Sequence, residues 1–382
     1  TFVWQYKFVK VASAASSGDF SVSDTVTITE GTKGMVTMTV NEDSEAESAE
    51  TVVITLGSPT NAVTGSVTER TITIVEENVA PMIHLSVAQG GTSGRIVAAD
   101  GGLVTVTANY SDLNPGDTHT LEWDSALSGL DYVTIDGATV TVDPSTLGDT
   151  LMTASATVTD DGNPILSASD SVVVKILATA PALGADDSDG DGISDADEGY
   201  GDSDNDGIPD YLDNIDESNL APVGDSGDVV QTSAGTTVVL GDTAFSSGNN
   251  EVGIDESDVG SADADWDYLG GLVDFKVSGA QAGATYNVVI PLSGTVPAGA
   301  VLRKFMGDNI GWQDFVENAT NAIHSAMATS GTCPEPGSSA YAPGLPTADG
   351  MSEQTICLEL LIEDGGPNDM DGVANGTVVD PS

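Results

Sequence analysis

Thr153-Ala-Ser-Ala-Thr-Val158 and Val172-Val-Val-Lys-Ile176 carry the small and β-branched residues, in short alternating runs, that a half-buried strand requires. Between them Asp160-Asp-Gly-Asn-Pro164 supplies turn chemistry. Upstream in the same stretch stand Leu103-Val-Thr-Val-Thr-Ala108 and Ala138-Thr-Val-Thr-Val142. Nearer the N-terminus the pattern recurs in Thr25-Val-Thr-Ile-Thr29, Met35-Val-Thr-Met-Thr-Val40, Thr51-Val-Val-Ile-Thr-Leu56 and Thr71-Ile-Thr-Ile-Val75. Towards the other end it recurs in Leu272–Val277, Tyr286–Leu292, Val301–Phe305 and Ile356–Ile362. Period-two runs broken by glycine and aspartate predict an all-β chain of tandem antiparallel β-sandwiches without long helices. The 382 residues exceed one ordinary sandwich. Four segments are expected: 1–79, 80–178, an irregular linker at 179–219, and 220–382.

Charge bounds the partners. Sixty Asp and Glu against nine Lys and Arg leave a formal net charge of −51. Nucleic acid and anionic membrane are excluded as generic partners, since both demand positive charge at the contact. Mean hydropathy near zero and regular strand patterns argue against disorder. So acidic a folded chain repels itself unless cations neutralise it; extracellular calcium or a halophilic milieu would both do so. Two cysteines, Cys333 and Cys357, are compatible with a disulfide in an oxidising compartment. No apolar run is long enough to span a bilayer, so membrane insertion is not expected.

The most specific pattern lies in the linker. Asp187-Ser-Asp-Gly-Asp-Gly-Ile-Ser-Asp-Ala-Asp-Glu198 is followed by Asp202-Ser-Asp-Asn-Asp-Gly-Ile-Pro-Asp-Tyr-Leu-Asp213. Each has acids at positions 1, 3, 5 and 9 (Asp187, Asp189, Asp191, Asp195; Asp202, Asp204, Asp206, Asp210). Glycine holds position 6, Ile193 and Ile208 offer a carbonyl at position 7, and Glu198 and Asp213 close the loop at 12. Alternate carboxylates in a tight turn can face one hard cation, glycine permits the bend, and a terminal acid can bind bidentately; this is the ligand schedule of a twelve-residue calcium loop. Two copies in register make coincidence improbable.

The flanks lack the long helices of an EF-hand pair, and the stretch resembles thrombospondin type 3 repeats, which implies that calcium orders a segment with little core of its own. Residues 1–79, from Ser17-Gly-Asp-Phe20 through Asn41–Glu50 to Ile74-Val-Glu-Glu77, resemble a Calx-beta domain. That resemblance implies calcium at one tip, at Asp43, Glu47, Glu50, Glu76 and Glu77, and a first strand missing before Thr1. Residues 80–178 resemble PKD or cadherin-like Ig modules through Tyr110–Asp117 and Val158–Pro164. Asp112, Asp117, Asp160 and Asp161 are candidate ligands there, and Trp123 is placed as a large core aromatic on a central strand. Residues 220–382 resemble the choice-of-anchor U domain of Gram-negative exported proteins through Trp266–Phe275, Gly311–Phe315, Cys333–Gly337 and Glu363–Asp369. Asp364, Asp369, Asp371 and Asn375 are calcium candidates in its acidic end.

Catalysis finds no support. His84, His119 and His324 stand in separate contexts without zinc spacing, Gly224-Asp-Ser-Gly227 has no ordered His and Asp partners, and Gly90-Gly-Thr-Ser-Gly94 lacks the ending of a phosphate loop. The expected function is therefore a calcium-stabilised, non-enzymatic extracellular protein of a Gram-negative surface or biofilm matrix, engaged in adhesion, self-association or receptor binding. One form is a filament built by strand exchange, with Phe2–Val9 or Gly376–Asp380 as donor. The alternative is a non-catalytic accessory region of a secreted hydrolase.

Overall fold

A strand with one solvated face buries every second residue. In the strand Ser167–Leu177, however, Val172, Val173 and Val174 are all buried. Val172 and Val174 belong to the sandwich core, whereas Val173 belongs to the core of the C-terminal β-domain. Both faces of this strand are therefore covered, and the second cover bears on where the acid-rich loops of 187–213 sit.

The computed structural model describes residues 4–12, 20–22, 25–28, 37–40, 50–57, 69–74 and 78–381, apart from 115–116, 225–226, 260–262, 264–265, 267–270, 281, 293–295, 298, 308 and 346–354. The chain divides into two units, Thr1–Val79 and Ala80–Ser382. It is all-β, built from antiparallel sheets with two short α-helical turns, Asp195–Glu198 and Asp242–Ser247.

In the first unit the sheet order is Thr25–Ile28, Trp4–Ala12, Glu50–Leu56, Glu69–Ile74, with Phe20–Val22 paired to Met38–Val40. Phe20, Val52 and Ile74 form its buried core. Both candidate donor stretches are paired within the chain. Trp4–Lys7 pairs with Thr25–Ile28 and Phe8–Ala12 pairs with Val52–Leu56, so this stretch serves as a strand of its own unit. Thr377–Pro381, the other candidate donor, pairs with Leu272–Ser278 inside the second unit. Exchange of either run would first break these pairs.

The second unit opens with a two-sheet sandwich. One sheet runs Val133–Asp136, Thr139–Val142, Val104–Ser111, Met82–Gln89, Thr92–Ser93; the other runs Thr120–Trp123, Thr150–Thr159, Ser167–Leu177, Ile96–Ala98, the last pair parallel. The inward faces of Leu85, Val87, Val104, Val106, Val158 and Val174 fill its core. Trp123 sits on the edge strand, half-buried, with its indole N–H donated to the Gly137 carbonyl at 2.9 Å; the core is filled by valines and needs no large central aromatic.

After an irregular stretch the C-terminal β-domain packs a six-stranded sheet (Leu220–Val223, Asp228–Thr232, Thr285–Leu292, Ile356–Glu363, Ala322–Met327, Ala342–Pro343) over a second, built on Leu272–Ser278. Cys333 and Cys357 form a disulfide, with Cα atoms 5.6 Å apart.

The sandwich and this domain are stitched by Arg95 and Lys276. The Arg95 guanidinium is buried, lies 4.0 Å from the Phe245 ring centroid and donates to the Leu240 carbonyl at 3.1 Å. Lys276 Nζ donates to the Ser171 carbonyl at 2.8 Å and lies 3.5 Å from Asp170 and 3.4 Å from Asp242. The irregular stretch is thus no free linker: Ile208 is 1% exposed within the C-terminal core.

Candidate metal centre

The two linker loops fold on the same local plan. In the first, Asp187 accepts from the Gly190 and Gly192 amides, Asp189 from Asp191 and Asp191 from Ile193. In the second, Asp202 accepts from Gly207, Asp204 from Asp206 and Asp206 from Ile208, at 3.2, 3.2 and 2.7 Å. Such local bonds hold each acid in a turn with one oxygen on the backbone. The turn requires two left-handed residues: Gly190 and Asn205 at position 4, Gly192 and Gly207 at position 6, the last pair at φ 100° and 102°.

The remaining oxygens carry the chemistry. Asp202 Oδ1, Asp204 Oδ2 and Asp206 Oδ2 are buried with no hydrogen-bond partner, as are Asp189 Oδ2 and Glu198 Oε2 in the first loop. One ligand atom from each of Asp202, Asp204 and Asp206 lies within 4.8 Å of the others, and the same holds for Asp187, Asp189 and Asp191. A buried carboxylate oxygen without a partner is costly unless a cation sits there. Burial, joined by the neighbouring Asp204, pushes Asp202 up to about 7 and Asp206 up to about 9. Asp213, also chiefly by burial, is pushed up to about 7. Burial likewise raises Asp189, Asp204 and Glu198. The residues fit an oxygen-liganded hard divalent cation.

Position 9 departs from the ligand schedule. Asp195 takes both the amide and hydroxyl of Ser188, at 2.8 and 2.9 Å, and Asp210 takes those of Ser203, at 2.7 and 2.9 Å. These acids clamp the loop shut, because both their oxygens are already engaged by the serine at position 2. The repeated serine was visible in both loops; its pairing needed coordinates.

Of the other candidates, Asp112, Asp117 and Asp160 come together, with Asp117 Oδ2 unpartnered. Asp161 turns away to the amide and hydroxyl of Thr118, at 2.6 and 2.7 Å. In the C-terminal set both oxygens of each aspartate are already engaged. Asp364 accepts from Gly283, Asn375 and Gly376, Asp369 from Gly365 and Val379, and Asp371 from Val373 and the Asn375 side-chain amide. Their oxygens close tight turns, and among the described residues they form no metal-holding group. Asp43, Glu47, Glu76 and Glu77 lie outside the described residues, and Glu50 opens the strand Glu50–Leu56.

Arg95 is the residue the sequence did not flag. Its guanidinium interacts with Asp202 and Asp206, and a Cβ on Gly207 would lie 2.4 Å from its Nη2. No local signal marks it, since it sits some hundred residues upstream on the sandwich.

No family profile and no curated protein matches the chain. Solved structures with similarity include PcdhgB3 EC1-4 (13% identity, TM-score 0.20, 46% of this chain) and Drosophila N-cadherin EC1-4 (16%, 0.16, 45%). The chain spans 41% of each of those two. A carbohydrate-binding module from the β-sandwich superfamily is similar at 11% identity and TM-score 0.18, over 80% of this chain and 96% of that one.

Proposed function

We propose that the chain is a calcium-stabilised structural or adhesive module working outside the cell, without catalytic activity. The observation that carries this is the convergence of Asp202 Oδ1, Asp204 Oδ2 and Asp206 Oδ2, each buried and partnerless. Calcium suits them because millimolar extracellular calcium meets all-oxygen loops of this kind, whereas magnesium keeps its own water shell. The ion neutralises the loop and thereby secures Ile208 in the C-terminal core and Arg95 between the domains. A formal net charge of −51 over the chain favours calcium-bridged association with a second copy or an acidic matrix as the mode of contact.

Differential scanning calorimetry of the chain in millimolar calcium and in excess chelator tests this reading. Binding at a hundredfold excess over Kd stabilises by about 2.7 kcal/mol, so the midpoint rises by several degrees. Identical midpoints in calcium and chelator would overturn it.

A further inference from the structure

The acidic chain buries one lysine completely. Lys304, in the strand Arg303–Phe305, is 2% exposed, and Asp380, in the strand Thr377–Pro381, is 0% exposed. Lys304 Nζ rests against Asp380 Oδ1, and no hydrogen bond to any other group is present at Nζ or at either Asp380 oxygen among the described residues. The surroundings are apolar: Phe315 has its ring centroid 5.8 Å from Nζ, and Phe275 lies opposite Asp380 in the sheet. A buried ion pair without supporting hydrogen bonds is a poor stabiliser. The same geometry is a good reactant, with an amine held on a carboxyl where water is excluded.

We propose that Lys304 and Asp380 are joined by an intramolecular amide bond. Burial lowers the affinity of the Lys304 amine for its proton. A proton passing to Asp380 leaves a neutral amine and a neutral acid. Nζ adds to the Asp380 Cγ, the bond from Cγ to its hydroxyl oxygen breaks, and that oxygen departs as water with a proton from nitrogen. Nothing is oxidised or reduced. Asp369, 0% exposed and electrostatically coupled to Lys304, accepts the amide of Val379 beside Asp380 at 3.0 Å. Burial and the neighbouring Asp371 both favour its protonated form, which keeps a further negative charge away from the pair. The bond would pin the strand Thr377–Pro381 to Arg303–Phe305 and forbid its exchange.

Intact-mass measurement of the full chain, folded, then denatured with its disulfide reduced, tests this. The expected mass is one water below that of the sequence, with trypsin leaving Lys304 uncut and releasing one branched peptide that contains Lys304 and Asp380. Lys304→Arg and Asp380→Ala are expected at full sequence mass. A folded wild-type chain at full mass overturns the proposal even if the variants fail to fold, and so does a water loss that maps to a succinimide elsewhere.

Discussion

The loops Asp187–Glu198 and Asp202–Asp213 share a template and differ in setting. Ile193 is 49% exposed, whereas Ile208 is 1% exposed; Asp187 and Asp191 face solvent, whereas Asp206 is 0% exposed. Gly192 has open space where a side chain would begin, but Gly207 has Arg95. Local sequence therefore determines how a loop presents its carboxylates, and packing determines what those carboxylates cost. In water a ring of acids is screened and cheap. Against a domain core it is an uncompensated charge that favours either a proton or a cation. Under the proposed function the second loop would accordingly be the tighter site and the one whose ion matters to folding.

Replacing one ligand in each loop gives the largest contrast. Asp206→Asn should lose about 3 kcal/mol of stability in calcium yet gain stability in chelator, since folding no longer has to protonate this acid. Asp191→Asn should change little in either condition. Urea midpoints with and without calcium read both, and equal effects at the two positions would break the comparison.

Position 7 comes next: Ile208→Ala is expected to cost about 3 kcal/mol, as for a buried isoleucine, and Ile193→Ala under about 0.5 kcal/mol. At position 6 both glycines are left-handed, so alanine costs each about 1 kcal/mol of backbone strain. Gly207→Ala must also displace Arg95 and should cost about 2 kcal/mol in all, visible as a larger drop in thermal midpoint than for Gly192→Ala.

The last comparison is a pH dependence that calcium should abolish. Without the ion, Asp202, Asp206 and Asp213 hold protons in the folded state up to about 7, 9 and 7, against about 4 when unfolded. The folded chain then binds more protons, so stability falls as pH rises from 5 to 8. With calcium bound the ligands are deprotonated in the folded chain as they are in the unfolded chain above pH 5, so stability should be nearly flat over the same range. Melting curves at pH 5, 6.5 and 8 should fall with pH in chelator and stay nearly level in calcium; parallel slopes would mean that the acids of the second loop are not the ligands.

Much of this was legible in the residues. Alternation in Leu103–Ala108 and Thr153–Val158 yields strands because the side-chain period is two whatever lies beyond. The paired loops were readable because their ligands sit within twelve residues, and the two cysteines had only each other. The triple valine 172–174 already broke the alternation, a trace of the second buried face. By contrast, the acids of Asp364–Asn375 looked like the loop acids in composition and were distinguished only by which backbone amides reached them.

What the sequence determined by itself, then, was the all-β class and the local shape of the two loops, since both arise from interactions spanning a few residues. Tertiary structure decided which loop is buried, that Arg95 and Ile208 tie it to two domains, and that Lys304 meets Asp380. Those outcomes depend on groups far apart in the chain, whose desolvation exists only after the sheets have packed.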